Sequence, residues 1–263
     1  MIITDIDFAE MYRRHMRQSD RPPKPASAWD ARAKRLGIQE SDTRYTDEFV
    51  RRMNLSGAKT LLDVGCGAGT IALRAAHQMD HVIGLDYSPG MLERMRERAA
   101  FQGLANVTTC LRSWDDPWDD IPVCDIVVAS RSSMVPDMEF ILEKMTRQAR
   151  VRCYMTHLAD GHFGDAEIAR LLGRKKRAFP DYLYIINLLH RMGLYPKLDY
   201  IELPGRLAGT RNVDEFLEKV TGTFGELTDA ERERVRHWYQ ADPARAQAGG
   251  GPMRWAFIGW DVR

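Results

Sequence analysis

Residues 60–86 read TLLDVGCGAGTIALRAAHQMDHVIGLD, and the order of patterns within them predicts the fold. The opening run, 60–64, is mostly apolar and typical of a strand buried on both faces of a sheet. Three glycines at alternate positions follow it: Gly65, Gly67 and Gly69. Apolar residues at helical spacing come next, and a second apolar run ends in Asp86. Strand, glycine loop, helix, strand and acid, in that order, predict the first half of a nucleotide-binding α/β sheet.

The glycine loop and Asp86 have the chemistry of a nucleotide site. Glycine lets the backbone adopt positive φ and lets a ligand approach where a side chain would collide. The free N–H groups at the start of the following helix favour an anionic group, and Asp86 is placed to accept hydrogen bonds from both ribose hydroxyls. A dinucleotide fingerprint needs glycine at its sixth position, but the sixth residue counted from Gly65 is Thr70. The spacing is instead Asp-x-Gly-x-Gly-x-Gly, beginning at Asp63.

This spacing, with an acid at the end of the next strand, resembles motif I and its companion acid in the class I S-adenosylmethionine-dependent methyltransferases. The resemblance is good over residues 45–160 and holds only in outline elsewhere. It implies S-adenosyl-L-methionine as the cofactor and S-adenosyl-L-homocysteine as the product. It also implies an α/β fold with a seven-stranded Rossmann-like sheet of order 3-2-1-4-5-7-6, only the last strand antiparallel, and helices on both faces. The alternative is a purely structural glycine turn.

The resemblance implies a cofactor site assembled from several segments. The loop, the second strand and the next helix would supply Asp63, Gly65, Cys66, Gly67, Gly69, Asp86, Tyr87 and Met91. Past the third strand, 107–111, Trp114 and Asp115 are expected to hold the adenine, with Ser113 and Asp116 as competing positions. Ser130 and Arg131 end the fourth strand, where ligands bind in open α/β sheets. Arg131 either orients an anionic substrate or pairs with an acid at the edge of the core.

We expect one structural domain with three parts. Residues 1–54 form N-terminal helices that act as a lid, 55–158 form the Rossmann-like core that binds S-adenosylmethionine, and 159–263 complete the sheet. The third part carries helical cap insertions at 159–178 and 205–252. We expect lid helices at 29–36 and 42–53, in which Trp29 and Tyr45 either cover the cleft or pack one helix on another. In the core, Ser88 followed by proline predicts one helix start, and Asp137 predicts another.

Composition limits the class of protein. The chain has 38 basic and 37 acidic side chains, a balance that does not favour nucleic acid or an acidic membrane as partner. Its four cysteines include no Cys-x-x-Cys pair, which indicates free thiols in a reducing compartment and no zinc site. The acidic N-terminal stretch is unlike a signal peptide, and no apolar run reaches the roughly 18 residues of a membrane span. We therefore expect a soluble cytoplasmic protein without a metal, and the sequence leaves its oligomeric state open.

No residue is evident as the catalytic base. Methyl transfer from a sulfonium mainly requires that the protein position two reactants and exclude water. A base is needed only when the acceptor carries a proton at neutral pH. His157, at the end of the fifth strand, is the candidate base by topology, and a structural histidine is the alternative. The further candidates are Tyr12, His15, Tyr182 and Tyr184.

The function predicted first is methylation of a small molecule. Residues 130–134, Ser-Arg-Ser-Ser-Met, lack the Asn or Asp, Pro-Pro and aromatic residues found in many amino-methyltransferases of nucleic acids. They also lack the paired acids that aminopropyl transfer on this fold would need. Two alternatives remain: a methyltransferase of RNA or protein, and a protein that binds S-adenosylmethionine without catalysis.

Overall fold

The computed structural model describes residues 2–19, 24–39, 43–159, 165–174, 179–249 and 251–262, arranged around one seven-stranded sheet. The strands are β1 (Thr60–Val64), β2 (His81–Asp86), β3 (Val107–Leu111), β4 (Cys124–Ser130), β5 (Ala149–Leu158), β6 (Lys197–Leu203) and β7 (Met253–Asp261). Their order is β3-β2-β1-β4-β5-β7-β6. β7 is antiparallel to β5 and β6, and the other neighbours are parallel. The predicted order and the single antiparallel strand are confirmed.

Helices cover both faces of the sheet, as predicted. Their bounds are α1 (Phe8–Gln18), α2 (Ala26–Ala33), α3 (Thr43–Arg52), α4 (Thr70–Ala76), α5 (Pro89–Phe101), α6 (Met138–Gln148), α7 (Ala166–Leu171), α8 (Tyr182–Arg191), α9 (Val213–Phe224), α10 (Asp229–Ala241) and α11 (Pro243–Gln247). Buried residues of α1, α6 and α8 belong to the apolar cluster on one face. Those of α3 and α4, with Leu92, Met95 and Ala99 of α5, belong to the cluster on the other.

The middle of β4 is apolar because helices cover both faces of the sheet there. Four consecutive residues of β4 are fully buried: Ile126, Val127, Val128 and Ala129. Successive side chains of a strand point to opposite faces, so Val127 and Ala129 join the cluster of α6 and α8 while Ile126 and Val128 join that of α3 to α5. A strand in this position has no polar face, and its sequence therefore lacks the alternation of a half-exposed strand.

Local caps start the helices that follow β1, β2 and β4. Gly69, in the left-handed conformation with φ 81°, precedes α4. Ser88 caps α5, and Pro89 is its first residue. Asp137 caps α6. The starts predicted at Ser88 and Asp137 are confirmed, and all three helices begin near the edge of the sheet where the parallel strands end.

Helix boundaries differ from prediction in the N-terminal and C-terminal parts. We expected the second helix to run from Trp29 to Leu36, but α2 begins at Ala26 and ends at Ala33. α11 was not predicted, although the sequence contains a start signal for it. Asp242 accepts a hydrogen bond from the backbone N–H of Arg245, and Pro243 takes the first helical position.

α7, α9, α10 and α11 form a second helical cluster with its own apolar interior. The buried residues of this interior come from these helices and the loops beside them. The two chain segments that join α9–α11 to the sheet meet at Gly205, where a Cβ would lie 2.6 Å from the carbonyl oxygens of Gly249 and Gly251. Residues 160–164, 175–178 and 250 of the predicted insertions, with most of the basic run 174–177, lie outside the described residues.

Asp125, at the start of β4, fastens the beginning of β1. Its Oδ2 accepts hydrogen bonds from the backbone N–H of Lys59 at 2.8 Å and of Thr60 at 3.0 Å, and from the Thr60 hydroxyl at 3.0 Å. Its Oδ1 lies 2.7 Å from Arg150 Nη1. These bonds, led by that from Lys59, lower the pKa of the Asp125 carboxyl to about 2.

We predict that Asp125→Ala lowers the free energy of unfolding by about 2–3 kcal/mol, because it removes the acceptor of three part-buried hydrogen bonds from Lys59 and Thr60. Urea denaturation at pH 7 measures the loss. The matched control is Arg150→Ala, which removes only the ion pair of a largely exposed guanidinium and should cost less than about 1 kcal/mol. Equal losses in the two variants would contradict the assignment.

Candidate functional site

The loop between β1 and α4 is fastened to the end of β2. The backbone N–H groups of Gly65 and Cys66 both donate to the Leu85 carbonyl oxygen, at 2.7 and 3.0 Å. The N–H of Gly67 donates to Asp86 Oδ2 at 2.8 Å. Gly65, Gly67 and Gly69 have φ of 67°, 54° and 81°, which side chains rarely tolerate. The glycine loop is therefore held in one conformation against β2.

The three glycines are required for different reasons. A Cβ at Gly65 would lie 2.4 Å from Ser132 Cβ, so this glycine admits the loop that follows β4. A Cβ at Gly69 would lie 2.8 Å from atoms of both Leu73 and Met95, so this glycine admits helix side chains. A Cβ at Gly67 would meet only Met91 Sδ, at 4.0 Å, among the described atoms. Of the three glycines, only Gly67 therefore has no close protein neighbour on the side where a Cβ would lie.

Asp86 is a buried acceptor at the carboxyl end of β2. Its Oδ2 accepts from Gly67, and its Oδ1 accepts from the backbone N–H of Ser88 at 2.9 Å. Burial raises the pKa of the Asp86 carboxyl, while the hydrogen bonds from Ser88 and Gly67 oppose the rise. Each carboxylate oxygen can accept a second hydrogen bond, so the group is oriented by the loop and still able to bind a hydroxyl.

Asp63 lies beneath the loop and is almost completely buried. Its Oδ2 accepts from the backbone N–H of Ala72 at 3.1 Å, while its Oδ1 has no partner among the described residues. Burial raises the pKa of Asp63 to about 7. The same burial raises the pKa of the neighbouring Cys66 thiol, whose Sγ lies 3.4 Å from the Gly67 carbonyl oxygen. Cys66 is therefore an unreactive packing residue of the loop.

The turn after β4 has a strained backbone at Arg131. This residue has φ 56°, the one positive φ outside glycine in the described chain. Its backbone N–H donates to Thr156 Oγ1 at 3.1 Å, and its guanidinium carbon lies 4.0 Å from the centre of the Tyr45 ring. The Tyr45 hydroxyl is hydrogen-bonded to Ser130 at 2.8 Å and to Thr156 at 2.7 Å. Tyr45 thus joins the ends of β4 and β5 beneath Arg131.

Ser132 is a site residue that the sequence analysis missed. Its hydroxyl donates to the Val64 carbonyl oxygen at 2.7 Å, and its own carbonyl oxygen accepts from Trp114 Nε1 at 3.2 Å. It therefore links β1, the turn after β4 and the segment after β3. No local pattern singles it out, because its contacts all lie far away in the chain.

The two predicted adenine residues differ in their surroundings. Trp114 is half-buried, and its ring lies 5.5 Å from that of Trp118. Asp115 is exposed on the turn, where its backbone N–H donates to Ser113 Oγ at 3.2 Å. The structure brings Trp114 next to Ser132 and leaves the Asp115 side chain at the surface.

Residues after β2 contact the N-terminal segment. The Tyr87 hydroxyl donates to the Lys24 carbonyl oxygen at 3.0 Å. Met91 is buried in a small cluster with Ala33 of α2 and Ala68 of the glycine loop, and Trp29 packs against that cluster. Of the two predicted lid residues, Trp29 is half-buried at this surface, whereas Tyr45 is fully buried.

His157, the candidate base, is buried and hydrogen-bonded through both ring nitrogens. Nδ1 lies 2.9 Å from Ser133 Oγ, and Nε2 lies 2.9 Å from the Pro180 carbonyl oxygen. Burial lowers the pKa of His157 to about 4. These contacts favour the structural alternative. The more accessible pair is His15 and Tyr184, with Nδ1 and hydroxyl oxygen 3.2 Å apart.

Comparison with known proteins identifies the family. A family model for a methyltransferase domain matches residues 55–169, which contain β1 to β5, the glycine loop and Asp86. This part of the chain belongs to the class I S-adenosylmethionine-dependent methyltransferases. An uncharacterized protein of Haemophilus influenzae is 33% identical to this methyltransferase over 265 residues, covering 100% of this chain and 99% of the other.

Solved structures share the fold of this methyltransferase. A chain of the complex between the Haloferax volcanii Trm112 methyltransferase activator and a methyltransferase matches with a TM-score of 0.57 and 18% identity, covering 90% of this chain and 96% of that one. Coclaurine N-methyltransferase bound to N-methylheliamine and S-adenosylhomocysteine (SAH) matches with a TM-score of 0.53 and 12% identity, covering 98% and 96%. At these identities the likeness is one of fold.

The described residues contain neither a cluster of metal ligands nor a helix that could span a membrane. No group of three or more His, Cys, Asp and Glu side chains there is arranged to hold a metal ion. Within the same residues, no helix of this methyltransferase has the length and apolar character needed to cross a membrane.

We predict that Asp63 makes the ligand-free methyltransferase less stable as pH rises. The folded-state pKa of about 7 lies above the 3.8 of an exposed carboxyl, so the folded state binds more protons between these values. The contribution of the protonated group to the free energy of unfolding is complete below about pH 4 and is lost as pH rises through about 7. The loss is no more than about 1.4 kcal/mol per pH unit.

Asp63→Asn isolates this effect, because an amide does not ionise. Urea denaturation of both proteins from about pH 5 to pH 8 gives the difference between their free energies of unfolding. We expect the wild type to lose stability relative to the variant up to about pH 7. A pH-independent difference would mean that Asp63 is already ionised at the lowest pH.

Proposed function

We propose that this chain transfers the methyl group of S-adenosylmethionine to a small-molecule acceptor. The observation that carries the proposal is the glycine loop held by Asp86, with Gly67 presenting bare backbone beside a buried carboxylate. A purely structural turn would not need an acid that is both buried and oriented by two backbone N–H groups.

The residues present fit S-adenosylmethionine. Asp63 has a buried oxygen without a described partner, which suits the ammonium of the cofactor's amino-acid end. Asp86 suits the two ribose hydroxyls, because each of its oxygens has an acceptor site left. The cofactor carries a net positive charge in its sulfonium form, and two acids lie around the loop to complement it.

The remaining predicted residues complete the proposed site. Tyr87 and Met91 would line the adenosine side, with Trp114 against the adenine and Asp115 facing its exocyclic amine. Ser130 and Arg131 would lie near the amino-acid end, beside the turn that contacts Gly65. Cys66 would contribute through its backbone, since its thiol is buried in the loop.

S-adenosylmethionine, when bound, supplies an activated methyl group for in-line displacement by an acceptor's lone pair. The chain's own task is to hold the two reactants in line and to exclude water. Tyr45, Ser130 and Thr156 would keep the ends of β4 and β5 in place for this task. An acceptor that carries a proton would release it to solvent or to the accessible pair of His15 and Tyr184, since both nitrogens of His157 are engaged.

A small acceptor is favoured over a macromolecule by charge and by the turn after β4. The chain has 38 basic and 37 acidic side chains, with no excess of positive charge to hold RNA. Its 130–134 turn lacks the motif of many nucleic-acid amino-methyltransferases. Coclaurine N-methyltransferase, which was solved with a small molecule, also matches 98% of the chain. We propose a cytoplasmic location because the four cysteines are free thiols.

Two alternative functions follow from the same site. The first is a methyltransferase of RNA or protein. The fold shared with a chain of the complex containing the Trm112 methyltransferase activator would suit an enzyme that acts together with a partner protein. A protein that holds S-adenosylmethionine without turnover would use the same loop and the same acid.

We predict that Asp86→Ala weakens binding of S-adenosylhomocysteine by about 100-fold. The change removes two charge-assisted hydrogen bonds, each worth about 1.5 kcal/mol. Titration calorimetry measures the affinity. Asp80→Ala is the matched control, because Asp80 is an exposed acid at the opposite end of β2. A folded Asp86→Ala protein with wild-type affinity would contradict the ribose placement.

We expect methyl transfer to a compound of low molecular mass. The protein is incubated with S-adenosylmethionine labelled at the methyl group and with a cell extract, which is then separated into small molecules, RNA and protein. Label should enter the small-molecule fraction, and only with the wild type rather than Asp86→Ala. Label in RNA or protein would favour the first alternative. Binding without label in any fraction would favour the second.

A further inference from the structure

We propose that Asp30, on the N-terminal helix α2, is a positioning residue of the cofactor site: through Ser88 and Gly90 it holds the turn that orients Asp86. The inference rests on the proposed function, since it concerns the acid assigned to the ribose. It assigns to Asp30 a part in cofactor binding that its position in the sequence does not suggest, 56 residues before Asp86.

A continuous chain of hydrogen bonds joins Asp30 to the glycine loop. Asp30 Oδ1 accepts from the Ser88 hydroxyl at 2.6 Å and from the Gly90 N–H at 2.9 Å. Ser88 is fully buried, and its N–H donates to Asp86 Oδ1. Asp86 Oδ2 in turn accepts from Gly67. Movement of Asp30 would therefore displace both Asp86 and the glycine loop.

Asp30 is held as an anion by these contacts. The hydrogen bond from Ser88, followed by that from Gly90, lowers the pKa of its carboxyl. Its position at the N-terminus of α5 adds to this, because free N–H groups at a helix N-terminus favour a negative charge. Ser88, the residue just before α5, also caps this helix, because its hydroxyl accepts from the Met91 N–H at 3.1 Å. The start of α5 therefore carries two caps, one of them from α2.

The rest of α2 and the turn after it are fastened along α5. Arg94 Nε donates to the Ala33 carbonyl oxygen at 3.3 Å. Arg98, which is buried, donates to the Gly37 carbonyl oxygen from Nε at 3.0 Å and from Nη2 at 2.6 Å. Arg98 Nη1 also lies 3.5 Å from the carbonyl oxygen of Ala68 in the glycine loop. Residues 24–37 therefore bind as a strap, in which Asp30 contacts Ser88, the residue whose N–H donates to Asp86.

Gly90 is the residue that allows this contact. A Cβ there would lie 2.9 Å from Asp30 Oδ1 and 3.1 Å from Asp30 Cα. Glycine is a poor residue inside a helix, and alanine would favour the helical conformation of α5. The close approach of the α2 backbone explains why glycine is needed in the first turn of α5.

Coupling between the strap and the cofactor must act in both directions. If docking of residues 24–37 orients Asp86 for the ribose, then ribose binding must favour docking by the same factor. Binding of S-adenosylhomocysteine should therefore slow hydrogen exchange of amides in 24–37. A merely structural contact between α2 and α5 would be indifferent to the ligand.

The first test is titration of four proteins with S-adenosylhomocysteine. Asp30→Ala should bind about tenfold more weakly than wild type, within the usual range of coupling between sites. Asp30→Asn should stay within about twofold, because its amide oxygen can accept both hydrogen bonds. The control Asp47→Ala removes the 2.9 Å ion pair between α3 and Arg74 of α4 and should bind as wild type does.

Two further measurements test the inference even if Asp30→Ala folds poorly. Gly90→Ala keeps both Asp30 and Ser88 but displaces α2, so its affinity should fall although the helix propensity of α5 rises. Hydrogen exchange of wild-type residues 24–37 should slow on adding S-adenosylhomocysteine. This inference is overturned if the wild type binds S-adenosylhomocysteine and both Asp30→Ala and Gly90→Ala bind it with the same affinity. It is also overturned if the wild type binds but hydrogen exchange in the strap does not slow. In either case the cofactor assignment stands. Absence of binding to the wild type would overturn the cofactor assignment and this inference with it.

Discussion

The site depends on the attachment of one loop to the end of one strand. Leu85 accepts two backbone hydrogen bonds from the glycine loop, and Asp86 accepts a third through its side chain. Because β2 is paired on both sides within the sheet, these bonds transfer its rigidity to the loop. A loop with three residues at positive φ would otherwise lose much conformational entropy on binding a ligand. Here that cost is met when the protein folds.

The same attachment places acids where burial makes their ionisation unfavourable. Asp63 and Asp86 are both buried, and burial raises the pKa of each. Asp86 is compensated by backbone hydrogen bonds, whereas Asp63 retains an oxygen without a described partner. A buried polar atom in this condition destabilises the folded chain. Its presence next to the loop is the pattern expected where stability is given up for binding.

Two N-terminal helices support different parts of the edge of the sheet where the parallel strands end. Tyr45 of α3 is buried and joins the ends of β4 and β5 through its hydroxyl. Asp30 of α2 bonds the start of α5, beside the end of β2. Both use polar groups at helix or strand ends, where backbone donors and side chains are not already paired within an element. Segments from outside the α/β core thus contribute hydrogen bonds to this edge of the sheet.

The sequence by itself determined the strands and the position of the glycine loop, because these follow from local periodicity, from turn chemistry and from a motif of fixed spacing. The order of the strands came from the family that this motif resembles. It also marked the helix starts at Ser88 and Asp137. Only the tertiary structure decided that Ser132 contacts Gly65, that both nitrogens of His157 are engaged, and that Asp30 meets Ser88. The reason is physical: each of these contacts joins segments far apart in the chain, and burial and hydrogen-bond partners are properties of the packed molecule.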